Sequence, residues 1–209
     1  MRNPALFPVF LKLEGRNCLV VGGGTIGESK VKSLLAAGAR VSVVAPNITP
    51  ALEERARQGA IVWHPRAFEA SDLAGVFMVV AATSNEQVND LIFREADRQG
   101  ILCNAVDQPP RCHFYFPAIV RRGALQIAIS TAGLSPSLAR RLRQELEQQF
   151  GAEYEGWLDW LGRVRAALMS KGLTFDARKR VLDRLASREL FDRIQARNSS
   201  KKRLEGRIA

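Results

Sequence analysis

Apolar and polar positions fall into short alternating blocks along the first half of the chain. Asn17 to Val21 is an apolar run rich in Val and Leu, which predicts a strand. From Thr25 to Ala37, Ile26, Val31, Leu34 and Leu35 recur at helical spacing, and Gly38 ends that helix. Arg40 to Ala45 is β-branched and reads as a second strand; Pro46, Asn47 and Pro50 then break the chain. Leu52 to Gln58 reads as a helix, Ala60 to Trp63 as a third strand, and Val76 to Ala82 as a fourth. The fourth run is almost wholly apolar, as a strand covered on both faces should be. Asn85 to Gln99 is helical, with Val88, Leu91, Ile92 and Ala96 on one face, and Ile101 to Val106 is a fifth strand. Strands alternating with helices predict an α/β fold, a Rossmann-like doubly wound parallel sheet.

The pattern changes after Pro109 and Pro110. Phe114 to Val120 and Ala124 to Ser130 are strand-like runs joined by Arg121, Arg122 and Gly123, which predicts a β-hairpin. Ser135 and Pro136 begin a helix, as cap and first helical residue. Two or three further helices follow between Glu153 and Ala196, with Trp157, Trp160, Leu161, Val164 and Leu168 as an apolar stripe that suits a core or a dimer surface. The expected organisation is a nucleotide-binding domain over residues 1–112, a dimerisation segment over 113–149, a helical domain over 150–197, and an irregular basic tail over 198–209.

Charge adds a constraint. The chain of 209 residues carries a formal net charge of +10. In the tail, Arg197, Lys201, Lys202, Arg203 and Arg207 stand against Glu205, a net +4, which leaves +6 elsewhere. Such a surplus suits nucleic acid, acidic lipid or a polyanionic small molecule. Few aromatic residues lie near the basic tail, which argues against nucleic acid. No signal peptide and no membrane span are read from the sequence. Three scattered cysteines, Cys18, Cys103 and Cys112, suit a reducing cytoplasm. With His64 and His113 as the two histidines, no dedicated metal site is expected.

The chemistry concentrates at Gly22-Gly23-Gly24-Thr25-Ile26-Gly27, a GxGxxG loop in its required context of strand, loop and helix. Gly22 suits the tight turn, Gly24 the approach of a pyrophosphate, and Gly27 close packing of helix on sheet. The phosphates would meet the amides and the positive end of the helix. At the end of the second strand, where Asp or Glu would bond a ribose diol, the chain reads Ala45, Pro46 and Asn47. Spacing alone therefore does not choose NAD over NADP.

Further motifs stand in order along the chain: Leu-Phe-Pro-Val-Phe (6–10), Val-Gly-Gly-Gly (21–24), Val-Val-Ala-Pro (43–46), Ala-Ala-Thr-Ser-Asn (81–85), Asn-Ala-Val-Asp (104–107), Phe-Tyr-Phe-Pro-Ala (114–118) and Ser-Thr-Ala-Gly-Leu-Ser-Pro (130–136). Together, over Phe7 to Arg143, the chain resembles the precorrin-2 dehydrogenase family, the N-terminal module of siroheme synthase. The resemblance implies oxidation of precorrin-2 to sirohydrochlorin with NAD as cofactor, and in some members insertion of Fe2+ by the same site as a ferrochelatase. It also implies a homodimer. The family's key acid maps onto Asp107, with Ala82, Thr83 and Val106 beside the cofactor and Asn104 orienting backbone or ligand. Ser130 and Thr131 match a serine-rich turn in which Ala132 replaces the family's first glycine. A tetrapyrrole bearing many carboxylates would give Arg121, Arg122 and Arg140 a role, and His113 is a further candidate for substrate contact.

Two rival readings are weaker. Short-chain dehydrogenases need Lys four residues after Tyr, and Tyr115 and Tyr154 are followed there by Ile119 and Leu158. A non-catalytic NAD-sensing module is the remaining alternative, but it does not account for Asp107 or the Phe-Tyr-Phe-Pro motif.

Overall fold

A computed structural model describes residues 5–205, with side chains to residue 197. The chain divides into two compact units between Phe116 and Pro117. That division falls four residues beyond the boundary expected from the sequence.

The first unit holds strands β1 (Asn17–Gly23), β2 (Arg40–Ile48), β3 (Val62–His64), β4 (Met78–Ala81) and β5 (Leu102–Ala105). Helices α1 (Thr25–Leu35), α2 (Pro50–Arg57) and α3 (Glu86–Arg98) connect them, with a 3-10 turn at Ala70–Leu73. The sheet order is β3-β2-β1-β4-β5 and every pairing is parallel. The chain thus reverses its direction of travel across the sheet between β1 and β4, and ligands of such sheets bind at the carboxyl edge there.

Strand periodicity explains the core. Cys18 and Val20 of β1, with Met78 and Val80 of β4, pack on one face against Val31, Leu34 and Leu52. Leu19 and Val21, with Val79 and Ala81, pack on the other against Leu73, Ile92 and Ala96. Successive side chains point to opposite faces, so a strand covered on both sides must be apolar throughout.

β2 runs three residues further than the sequence suggested, through Pro46 to Ile48. Its ladder to β1 jumps from Val44 to Ile48, and its ladder to β3 ends at Val44. Pro46 therefore sits where no ladder bond requires an N–H, which is why it does not end the strand.

The second unit begins with an antiparallel hairpin, β6 (Ala118–Arg122) and β7 (Leu125–Ile129). Arg122 pairs with Leu125, so the turn is Gly123-Ala124 and both arginines stay in the strand, not in the loop as the sequence suggested. Gly123 at φ +55° supplies the positive φ that the first central position of a two-residue turn demands. Helices α4 (Pro136–Gln149), α5 (Glu153–Met169), α6 (Phe175–Leu185) and α7 (Arg188–Glu205) follow. Ser135 caps α4, accepting a bond from the Leu138 N–H, as its place before Pro136 implied. An aromatic cluster of Phe150, Tyr154, Trp157 and Phe191 joins α5 to α7.

α7 extends to Glu205, where an irregular tail was expected from residue 198; no Gly or Pro interrupts its span. Residues 206–209, the rest of that expected tail, lie outside the described residues. Among the described residues, no helix is long and apolar enough to cross a membrane.

Candidate functional site

The glycine loop joins β1 to α1 at the carboxyl edge of the sheet. Each glycine has its own neighbour. Gly22 has φ +115°, and a Cβ there would collide with the backbone carbonyl of Ala82 at the end of β4. A Cβ on Gly23 would meet the Asn47 carbonyl, and one on Gly27 would meet the carbonyl of Gly22 itself. Strand, loop and helix are therefore as close as backbones allow. Gly24 differs, because a Cβ there would meet nothing within 4 Å. Protein packing requires glycine at the other three positions; at Gly24 the space is open, as a backbone that must approach a pyrophosphate requires.

The start of α1 fits the same ligand. Gly24 is the N-cap and offers no side-chain acceptor, whereas Thr49, Asn85 and Ser135 cap α2, α3 and α4 with theirs. The first backbone bond at this end comes from the Glu28 N–H to the Gly24 carbonyl, so the amides before it remain for an anion. Thr25 and Ile26 of this turn are exposed. The residues present thus fit a dinucleotide.

Around the loop, Ala45 is buried and its carbonyl accepts the Trp63 Nε1–H at 2.9 Å, while Pro46 and Asn47 are exposed. Thr49 donates to Glu28 Oε2 at 2.6 Å and ties the end of β2 to α1. After β4, Ala82 donates to the Val21 carbonyl. The Thr83 hydroxyl donates to Asn89 Oδ1 at 2.7 Å, and the Asn89 amide returns a bond to the Thr83 carbonyl. Thr83 therefore holds the turn into α3 with both its hydroxyl and its carbonyl.

Val106 and Asp107 follow β5 at the same edge. Asp107 is exposed and has φ +58°, one of two non-glycine residues with positive φ among the described residues. Asp and Asn tolerate this region better than most side chains. The turn is closed by a bond from the Gln108 N–H to the Ala105 carbonyl.

A residue that the sequence did not single out joins this site. Lys30, on α1, is half-buried, with its Nζ 3.9 Å from the centroid of the Phe116 ring. Burial pushes its pKa down, and the charges of Asp107 and Cys112 oppose that shift. Nothing in the sequence marked it, since a lysine on an amphipathic helix ordinarily reads as solvated.

The segment after the turn is latched to β5. Asn104 is buried, and its amide donates to the Phe114 carbonyl at 2.8 Å and to Cys112 Sγ at 3.4 Å. His113, expected near substrate, has both ring nitrogens engaged: Nδ1 accepts the Cys103 N–H at 3.1 Å and Nε2 lies 3.1 Å from Asp97 Oδ1. Its ring also packs against Phe93. Among the described residues, no group of three or more His, Cys, Asp or Glu is placed to hold a metal.

Arg121, Arg122, Ser130, Thr131 and Arg140 belong to the second unit. Arg121 and Arg140 are exposed. Arg122, expected to face substrate carboxylates, instead donates from Nε to the Phe150 carbonyl at 2.8 Å and from Nη2 to the Glu147 carbonyl at 3.0 Å. It satisfies carbonyls that the end of α4 leaves without helical partners. Arg122→Ala should destabilise this unit by about 1–3 kcal/mol, read by urea unfolding. An unchanged midpoint would show that water replaces the guanidinium without cost.

Ser130 Oγ accepts the Ala132 N–H, and Thr131 Oγ1 bonds with the backbone of Ser135. Between them, Ala132 (φ +51°) and Gly133 (φ +81°) form a turn closed from the Leu134 N–H to the Thr131 carbonyl. The left-handed conformation costs an alanine about 1–2 kcal/mol, and glycine gives back part of that through the unfolded chain. Ala132→Gly should therefore raise stability by about 0.5–1 kcal/mol. A lower melting temperature would show that the alanine methyl is held by contacts outweighing its strain.

A family model described as putative NAD(P)-binding matches residues 9–118, and one described as sirohaem biosynthesis protein central matches residues 122–149. Siroheme synthase 1 of Serratia proteamaculans (strain 568) is 42% identical over 169 residues, which are 79% of this chain and 36% of that protein. Siroheme synthase 1 of Aeromonas salmonicida (strain A449) is 37% identical over 190 residues, 91% of this chain and 41% of that one. The chain thus spans less than half the length of these relatives. Among solved structures, SirC, precorrin-2 dehydrogenase, aligns with a TM-score of 0.78 at 29% identity, covering 88% of this chain and 91% of its own.

Proposed function

The chain belongs to the NAD(P)-binding family matched by residues 9–118, and from that premise we propose that it is an NAD-dependent dehydrogenase oxidising precorrin-2 to sirohydrochlorin in siroheme biosynthesis. The observation that carries the reading is the likeness to SirC, precorrin-2 dehydrogenase, which extends across both units. The family match at 122–149 and the siroheme synthase relatives support the same pathway.

In this reading Gly22, Gly23, Gly24, Thr25, Ile26 and Gly27 hold the pyrophosphate, with Ala45, Pro46, Asn47, Ala82, Thr83 and Val106 around the rest of the dinucleotide. The choice of NAD rests on the resemblance to precorrin-2 dehydrogenases, because Ala45-Pro46-Asn47 offers neither a carboxylate for a ribose diol nor an arginine for a 2′-phosphate. The nicotinamide, when bound, supplies the hydride acceptor. Asp107 accepts the proton that leaves the substrate as the hydride departs, a task its exposed carboxylate can perform at the sheet edge. Arg121, whose guanidinium meets Gln126, and Arg140 are exposed and, with Ser130 and Thr131, are the second unit's candidates for substrate carboxylates.

The second unit supports a homodimer. Its buried side chains among the described residues are Val120, Ala139, Tyr154 and Phe191, while Trp157, Trp160, Leu161, Val164 and Leu168 keep part of their surface in solvent. Such a thin core gains from a second copy. The free thiols of Cys18, Cys103 and Cys112 favour action in the cytoplasm. If the site also inserts Fe2+, the tetrapyrrole nitrogens hold the ion and Asp107 takes the pyrrole protons.

The test is to incubate the protein with precorrin-2 and NAD and follow the visible spectrum, then add ferrous iron. Failure of sirohydrochlorin to form would overturn the dehydrogenase. Iron insertion no faster than in buffer would limit the chain to oxidation.

A further inference from the structure

The half-buried ammonium of Lys30 has no ion-pair partner among the described residues. All described ion pairs of the first unit engage other groups, and among the described residues the Lys30 side chain makes no hydrogen bond. Its contact is with the face of the Phe116 ring, at 3.9 Å, a position that attracts a cation and fixes where it stands. Phe116 packs in turn against the core face that carries Val31 and Leu34 of α1, beside Val106 and Phe114. The ammonium is thereby held at one place and shares electrostatic contact with Asp107.

We propose that Lys30 is a substrate-binding residue: its ammonium, held over Phe116 beside Asp107, receives a peripheral carboxylate of the tetrapyrrole. The inference rests on the dehydrogenase reading above. Three observations support it. A partly desolvated cation without a direct ion pair is costly, and an incoming carboxylate lowers that cost. Burial pushes the Lys30 pKa down, and the Asp107 and Cys112 charges that oppose this do not outweigh it. Among the described residues no ion pair joins Asp107 to the ammonium, so its carboxylate stays available while Lys30 serves another anion. A lysine suits the role because it binds as a compact point charge with freely turning donors, where a fork of fixed geometry is not needed.

Two variants in the full chain test this, with sirohydrochlorin as the probe and no NAD present. Lys30→Met keeps the stem over Phe116 and removes the charge; Lys30→Arg keeps the charge. Absorbance titration should show sirohydrochlorin bound about tenfold more weakly by Lys30→Met and near the original strength by Lys30→Arg, and the wild-type affinity should fall more steeply with salt than that of Lys30→Met. In turnover, Lys30→Met should raise KM for precorrin-2 and leave kcat and NAD affinity near wild type. Unchanged NAD affinity also certifies the fold. If wild type binds the probe and Lys30→Met binds it equally well, the assignment of Lys30 is overturned while the dehydrogenase stands. If wild type neither binds sirohydrochlorin nor oxidises precorrin-2, the dehydrogenase reading and this inference fall together.

Discussion

Gly27→Ala should abolish NAD binding and destabilise the first unit, whereas Gly24→Val should abolish NAD binding alone. The two glycines lie in one loop, three residues apart, but their surroundings differ. A methyl on Gly27 enters the carbonyl of Gly22, an atom fixed between β1 and α1, so relief requires the helix to move off the sheet. Overpacking of this kind costs about 1–3 kcal/mol. Gly24 has an extended backbone (φ −76°, ψ −176°) open to any residue, and space where its side chain would project. The fold should accept valine there, but the valine fills the approach to the helix amides. Calorimetric titration should show at least a hundredfold loss of NAD affinity in both variants. Thermal unfolding should show a fall of several degrees in Gly27→Ala only. A Gly24→Val protein that binds NAD normally would mean that the pyrophosphate does not pass over that position.

Asp107→Asn should reduce kcat for precorrin-2 oxidation by about 10²–10⁴-fold while leaving stability and NAD affinity unchanged. The choice of asparagine follows from the backbone. Asp107 stands at φ +58°, where an alanine would add strain and mix a folding defect with a chemical one. Asparagine is nearly isosteric, tolerates that conformation and lacks a basic carboxylate. If Asp107→Asn retains full activity, another group removes the proton and Asp107 is merely the residue that suits its turn.

Much of this architecture was legible because strand and helix periodicities are strong where both faces are covered. The apolar run from Cys18 to Val21 and that from Met78 to Ala81 admit little else than central strands. The glycine loop was legible for the same reason, since backbone contacts dictate the residue at Gly22, Gly23 and Gly27. What escaped depended on register or on distant partners. Pro46 stays within β2 because of a gap in the ladder that pairing alone reveals. Arg122 closes α4 through carbonyls 25 and 28 positions away, which no local pattern encodes. Lys30 meets Phe116 only because the chain after β5 folds back.

That return of the chain bears on modularity. The bridge between Asn104 and Cys112, the Asn104 bond to Phe114, and the His113–Asp97 contact fasten the last residues of the first unit to its edge strand. The seam between units then falls directly after Phe116. A cut at residue 112 would leave β5 with an unprotected edge and strip Phe114 and Phe116 from the core; a cut after Phe116 would not. The natural excision point is therefore set by an edge-sealing clasp and not by the loop that precedes it. The clasp thus belongs to the nucleotide-binding unit, and an excised fragment should keep it to seal the edge of β5.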